Sequence, residues 1–107
     1  SGEQPMKERK NFAELQAEYR RAILLRFLSE DADYAMDTGL LKSALKSVGH
    51  GVPLRQVNED VAWLEERGLV ACESLESALL VKITQRGLDV AAGDEVVPGV
   101  KRPGPGI

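Results

Sequence analysis

The chain has one cysteine, one histidine and one tryptophan, and aromatic residues make up only 5% of its 107 positions. With Cys72 alone, neither an intrachain disulfide nor a cysteine-rich metal site can form, and a reducing, cytoplasmic setting is expected. His50, the one histidine, stands between Gly49 and Gly51. It reads as a turn residue rather than a metal ligand or a base. No apolar run approaches the roughly 18 residues that would span a membrane. No signal-peptide pattern is seen either. Positive charge is not in excess: 14 basic against 17 acidic residues leave a net charge of −3. The basic footprint common in nucleic-acid binders is therefore missing from the totals, and only local patches can supply it. Also missing are a carboxylate pair in a plausible cleft, a Ser-His-Asp set and any Walker or Rossmann glycine pattern. An enzyme is not expected, nor is a cofactor.

What is present suits one small domain. Hydrophobic residues reach 43%, and about 80 residues can close one modest core dominated by Leu, Val, Ile and Ala. A domain that small buries only roughly 60–65% of its unfolded surface, so a partner subunit would help it. The expected organisation is a flexible, basic arm over residues 1–11, a folded domain over 12–93, and an extended Pro/Gly-rich tail over 94–107.

Phe12, Leu15, Tyr19, Ala22, Ile23, Phe27 and Leu28 recur at three- and four-residue steps, which predicts a first helix capped by Asn11. Arg20, Arg21 and Arg26 read as its solvated face. After the acidic loop SEDAD (29–33), residues 34–36 look extended. Asp37 or Thr38 then caps a second helix to about Val48, with Leu40, Leu41, Ala44, Leu45 and Val48 inward and Lys42 and Lys46 outward. Gly49-His50-Gly51 supplies the turn.

The third helix runs from about Pro53 to Arg67. Pro53 fits a first turn, where its missing N–H costs nothing. Leu54, Val57, Val61 and Leu64 share one face, and Gly68 supplies a left-handed stop. Arg55, Gln56 and Asn58 are base-reading residue types at the helix's N-terminal half. Against them stand Glu59, Asp60, Glu65 and Glu66, an acidic surface that phosphates repel. Trp63, at the edge of the apolar face, reads as a packing residue or an interface anchor.

Residues 69–73 and 78–83 form a hairpin whose linker carries no basic residue; Lys82 is the hairpin's one base. Thr84 caps a fourth helix, which Gly87 weakens by roughly 1 kcal/mol relative to Ala. Residues 95–107 are too rich in proline and glycine for a helix or a central strand. They form either a disordered tail or an extended strap across a neighbouring surface, with Val96, Val97 and Val100 in shallow pockets and Lys101 and Arg102 beside them.

The order helix, extended segment, helix, helix, hairpin, helix is mainly α with a small β-hairpin, and reads as a winged helix-turn-helix. The motifs DVAWLEERGLV (60–70), ITQRGLDVAAG (83–93) and VPGVKRPGPG (97–106) resemble small winged-helix proteins of Mu-like phages and prophages, often labelled regulators of the arsenic-repressor (ArsR) type. The resemblance spans roughly residues 12 to 106 and implies a winged helix in a phage setting. It implies no metal centre, because one cysteine and one histidine cannot build the Cys-x-Cys-type site of such sensors. Two functions follow as expectations. One is a DNA-binding phage regulator acting as a homodimer, using Arg55, Gln56, Asn58, Lys42, Lys46 and Lys82. The other is an interaction module that leaves DNA alone and meets a phage or host protein through Trp63, Val97, Val100, Lys101 and Arg102.

Overall fold

The computed structural model describes residues 11–104; the basic residues Lys7, Arg9 and Lys10 of the expected arm lie outside them. Among the described residues, four helices and a three-stranded antiparallel sheet follow one another as α1 (Phe12–Glu30), β1 (Ala35–Asp37), α2 (Thr38–Ser47), α3 (Leu54–Glu66), β2 (Val70–Ser74), β3 (Leu79–Ile83) and α4 (Gln85–Ala92). None of these helices is long and apolar enough to cross a membrane.

Each helix begins where a side chain can take a free N–H, except α3. Asn11 accepts from Glu14 N, Asp37 from Leu40 N, and Thr84 from Gly87 N. Pro53 is the residue before α3 rather than its first helical residue, and it offers no cap. Gly68 and Gly93 adopt positive φ after α3 and α4, which only glycine does without strain. At Gly68 the turn closes through Gly68 N to Glu65 O and Leu69 N to Leu64 O, both 3.0 Å.

The hairpin gains a third strand. β1 pairs with β3, so the sheet order is β1-β3-β2. Met36, Val81 and Cys72 stand in register across it, as do Ala35, Lys82 and Ala71. The period-2 alternation sends the first row toward the helices and the second to solvent. Leu24, Leu25 and Leu28 of α1, Leu41 and Leu45 of α2, and Val57, Val61 and Leu64 of α3 meet Leu69, Val70 and Val81 in one core.

Three expected inward positions are outside it: Leu40, Val48 and Leu54 are 51%, 48% and 43% exposed. Leu40 and Leu54 lie in the first turn of their helices, where the neighbouring layers have not yet closed over them, and Val48 is the residue that ends α2. Two expected solvent positions are inside. Arg20 is buried, and the Arg21 side chain is only 11% exposed.

The segment after α4 folds back on the domain. Val97 and Val100 are buried members of the core, whereas Val96 is exposed. Lys101 N donates to Glu18 O at 3.2 Å and Arg21 Nη1 to Gly99 O at 2.9 Å, strapping residues 97–101 across α1.

Candidate nucleic-acid interface

The outward surface of α3 is decided by what its inner surface absorbs. Asp60 falls on the same stripe as Val57, Val61 and Leu64, and it is buried with them. A carboxylate there needs a buried cation. Arg20 of α1 supplies it: Nε donates to Oδ2 at 2.7 Å and Nη2 to Oδ1 at 3.3 Å. Gln56, one turn earlier, donates from Nε2 to the same Asp60 Oδ1 at 3.1 Å. Asp60 is thus removed from the acidic surface expected of α3, and Gln56 from its unengaged base-reading residues.

The other acids of α3 divide along the helix. Glu65 Oε2 accepts from Cys72 N at 3.1 Å, and Glu66 lies 3.5 Å from Arg67 Nη1. Glu59 is the exposed acid of the N-terminal half. Arg55 and Asn58 are exposed beside it, with no hydrogen bond or ion pair to other described residues. Lys42 and Lys46 are likewise exposed and unpaired on α2. Gly51 of the turn lies beside Lys46, where an added Cβ would make ordinary van der Waals contact at 3.5 Å. Arg55 and Asn58 on α3, and Lys42 and Lys46 on the preceding helix, are therefore exposed and unengaged side chains.

Lys82 is exposed on the solvent face of β3, between Ala35 and Ala71, well away from the hairpin tip. The tip itself closes through Leu75 N to Ala78 O at 2.7 Å and presents Leu75 and Glu76.

The residues expected to meet a protein partner sit elsewhere. Trp63 is half-buried, with the Arg67 guanidinium 3.7 Å and the Arg21 guanidinium 4.0 Å from its ring. Gly99 lies against its six-membered ring. Trp63, Val97 and Val100 are thereby joined to the domain's own interior. Lys101 is half-buried, its Nζ 5.6 Å from the Tyr19 ring, and Arg102 is exposed.

Cys72 is half-buried, and its thiol is pushed up from 9.0 to about 11, by burial first and then by the charge of Glu65 and a hydrogen bond to it. Such a thiol is a poor nucleophile. Among the described residues, no group of three His, Cys, Asp or Glu side chains is placed to hold a metal ion.

The Arg20–Asp60 pair is the feature sequence reading missed. Its signal was available in an aspartate on the apolar phase of α3. The partner, 40 residues away, was not.

No family model matches the chain. It is 37% identical over 79 residues to an uncharacterized protein of Haemophilus influenzae, spanning 73% of this chain and 76% of that one. It is 40% identical over 88 residues to the uncharacterized protein gp26 of Escherichia phage Mu, spanning 82% of this chain and 91% of the relative. Neither relative's name carries a fold or an activity. At that identity and coverage, the chain belongs to the family of phage Mu gp26.

Proposed function

We propose that the chain is a winged helix-turn-helix protein that binds DNA as a homodimer and regulates transcription in a phage or prophage. In this reading α2 and α3 are the helix-turn-helix and the β2–β3 hairpin is the wing. The N-terminal half of α3 enters the major groove, the usual geometry of such motifs. One observation carries the reading: Arg55, Asn58, Lys42 and Lys46 are exposed and unpaired, while the nearest buried acid, Asp60, is neutralised inside the domain. Arg55 suits guanine and Asn58 adenine, and the two lysines suit phosphate. Gln56 contributes by holding Asp60 rather than by reading a base. Phage membership, through the relationship to Mu gp26, is the setting in which such a regulator acts.

The test is a fluorescence-anisotropy titration of the full chain against phage promoter fragments at low salt, where phosphate contacts are strongest. Saturable binding that weakens in Arg55→Ala and in the double variant Lys42→Ala/Lys46→Ala is expected. Absence of binding at low salt overturns the reading. A second reading, an interaction module of phage biology that leaves DNA alone, is supported by the exposed carboxylates of Glu59, Glu66 and Glu76. It would be selected by that negative result.

A further inference from the structure

Helix α1 has two apolar faces. Ala17, Leu24, Leu25 and Leu28 pack into the core. On another side Phe12, Leu15, Tyr19, Ile23 and Phe27 recur at steps of three and four residues, a second stripe whose last members, Ile23 and Phe27, are half-buried against the core. Phe12 is 73% exposed, Leu15 42% and Tyr19 37%. Toward the C-terminal end of α1, the stripe deepens into a groove of about 310 Å³ against the α2–α3 turn, lined by Tyr19, Ile23, Phe27, Val48 and His50. The His50 ring stacks on Tyr19 at 6.2 Å, and the rim pair Arg26–Glu30 closes at 3.3 Å. The groove is therefore apolar in its floor and neutral at that edge.

We infer that a second copy of this chain docks on this face, with the two α1 helices antiparallel about a two-fold axis and Phe12 of each copy seated in the groove of the other. The occupant follows from self-complementarity. A protruding ring stands at one end of the stripe and a matching hollow at the other, on the same helix. Phe12 and Phe27 are about 22 Å apart along the axis, at roughly 1.5 Å per residue. A two-fold axis beside Tyr19 and Arg20 places each opposite its counterpart, the isologous arrangement of a closed dimer.

The area also suits a second copy. With roughly 150–250 Å² for a full aromatic side chain, the exposed parts of Phe12, Tyr19, Leu15 and Val48 leave about 350 Å² of surface per copy. With Ile23, Phe27 and the rim residues, two copies together bury on the order of 1,000 Å², the lower bound of a specific interface. The stripe offers a foreign partner little charge to recognise.

This inference supplies the interface for the dimer named above and rests on that part of the reading. Its test contains no DNA, so its failure and a failure of DNA binding are separate results. Light scattering on the full chain at about 50 µM should give twice the 11.7 kDa chain mass. Phe12→Asp and Val48→Asp should each weaken the dimer roughly tenfold or more, about 1.4 kcal/mol. Phe12 is 73% and Val48 48% exposed, and circular dichroism checks that the variants fold. In a Cys72→Ala background, the pair Phe12→Cys/Val48→Cys should give a covalent dimer on mild oxidation. A wild-type chain that is monomeric at that concentration overturns the inference, as does a dimer indifferent to both aspartates.

Discussion

Arg20 and Asp60 show how one polar contact sets the surface of a helix. Each would be a solvated charge if judged by residue type, and each is buried because the other is. Removing one partner leaves a bare charge in the core, which costs about 3–5 kcal/mol. Arg20→Met should lower stability by that amount in urea denaturation. The double variant Arg20→Met/Asp60→Leu should recover most of it, because well-packed apolar replacements do not carry the desolvation cost. Cys72 gives a second prediction at this scale. Its thiol, raised from 9.0 to about 11, binds its proton more tightly in the folded chain than in the unfolded one. That contribution is complete below pH 9 and is lost as pH rises through about 11. The urea midpoint should therefore fall over that window, and fall less in Cys72→Ala. Alkylation of the native thiol should stay slow until the same window.

At the scale of elements, glycine decides two contacts that helix and loop propensities alone misjudge. Gly87 looks like a weakness in α4, yet an added Cβ would collide with the Leu69 carbonyl and the Ile83 side chain. The helix crosses the end of α3's exit turn there, and only glycine permits the approach. Gly87→Ala should destabilise by roughly 2 kcal/mol through overpacking, despite the better helix propensity of alanine. Gly99, at φ +98°, meets Trp63 in the same way. Because Trp63 is the one tryptophan, its fluorescence reports the strap directly. Gly99→Ala should shift its emission to the red and lower the melting temperature, and an unchanged spectrum would show that the strap does not hold the ring.

These elements also mark the limit of reading from sequence. Four helices, the turn glycines and the hairpin are legible because they depend on local periodicity and caps. The sheet's third strand is half legible, since residues 34–36 look extended but their pairing with β3 is a long-range event. The inward turn of the tail is half legible: a strap that buries Val97 and Val100 is one of two readings, and proline and glycine content does not say which surface they cover. For the candidate interface, Arg55, Asn58, Lys42 and Lys46 are legible as exposed residues from phase alone. Gln56 is not, because its engagement depends on where Arg20 arrives.

For the whole molecule, the question is how a chain of net charge −3 would hold a polyanion. In the proposed function, a few unpaired cations work against a negative background. Each neutralised phosphate contributes a slope of about −0.9 to the dependence of log affinity on log salt. Two phosphate contacts per copy, Lys42 and Lys46, give a slope of about −4 for a dimer by that rule. A broadly basic protein would be steeper. The two kinds of contact should separate under mutation. Lys42→Ala should weaken binding to every sequence alike and make the salt slope shallower by about 1 per copy. Arg55→Ala should cost about 1–3 kcal/mol on the preferred site and much less elsewhere, lowering the ratio of specific to non-specific affinity. Glu59→Gln removes the exposed acid beside Arg55 and should tighten binding at low salt. Titrations of all three variants on specific and random duplexes, at two salt concentrations, measure these effects together. If Arg55→Ala and Lys42→Ala behave alike, Arg55 is a phosphate contact and α3 does not read bases.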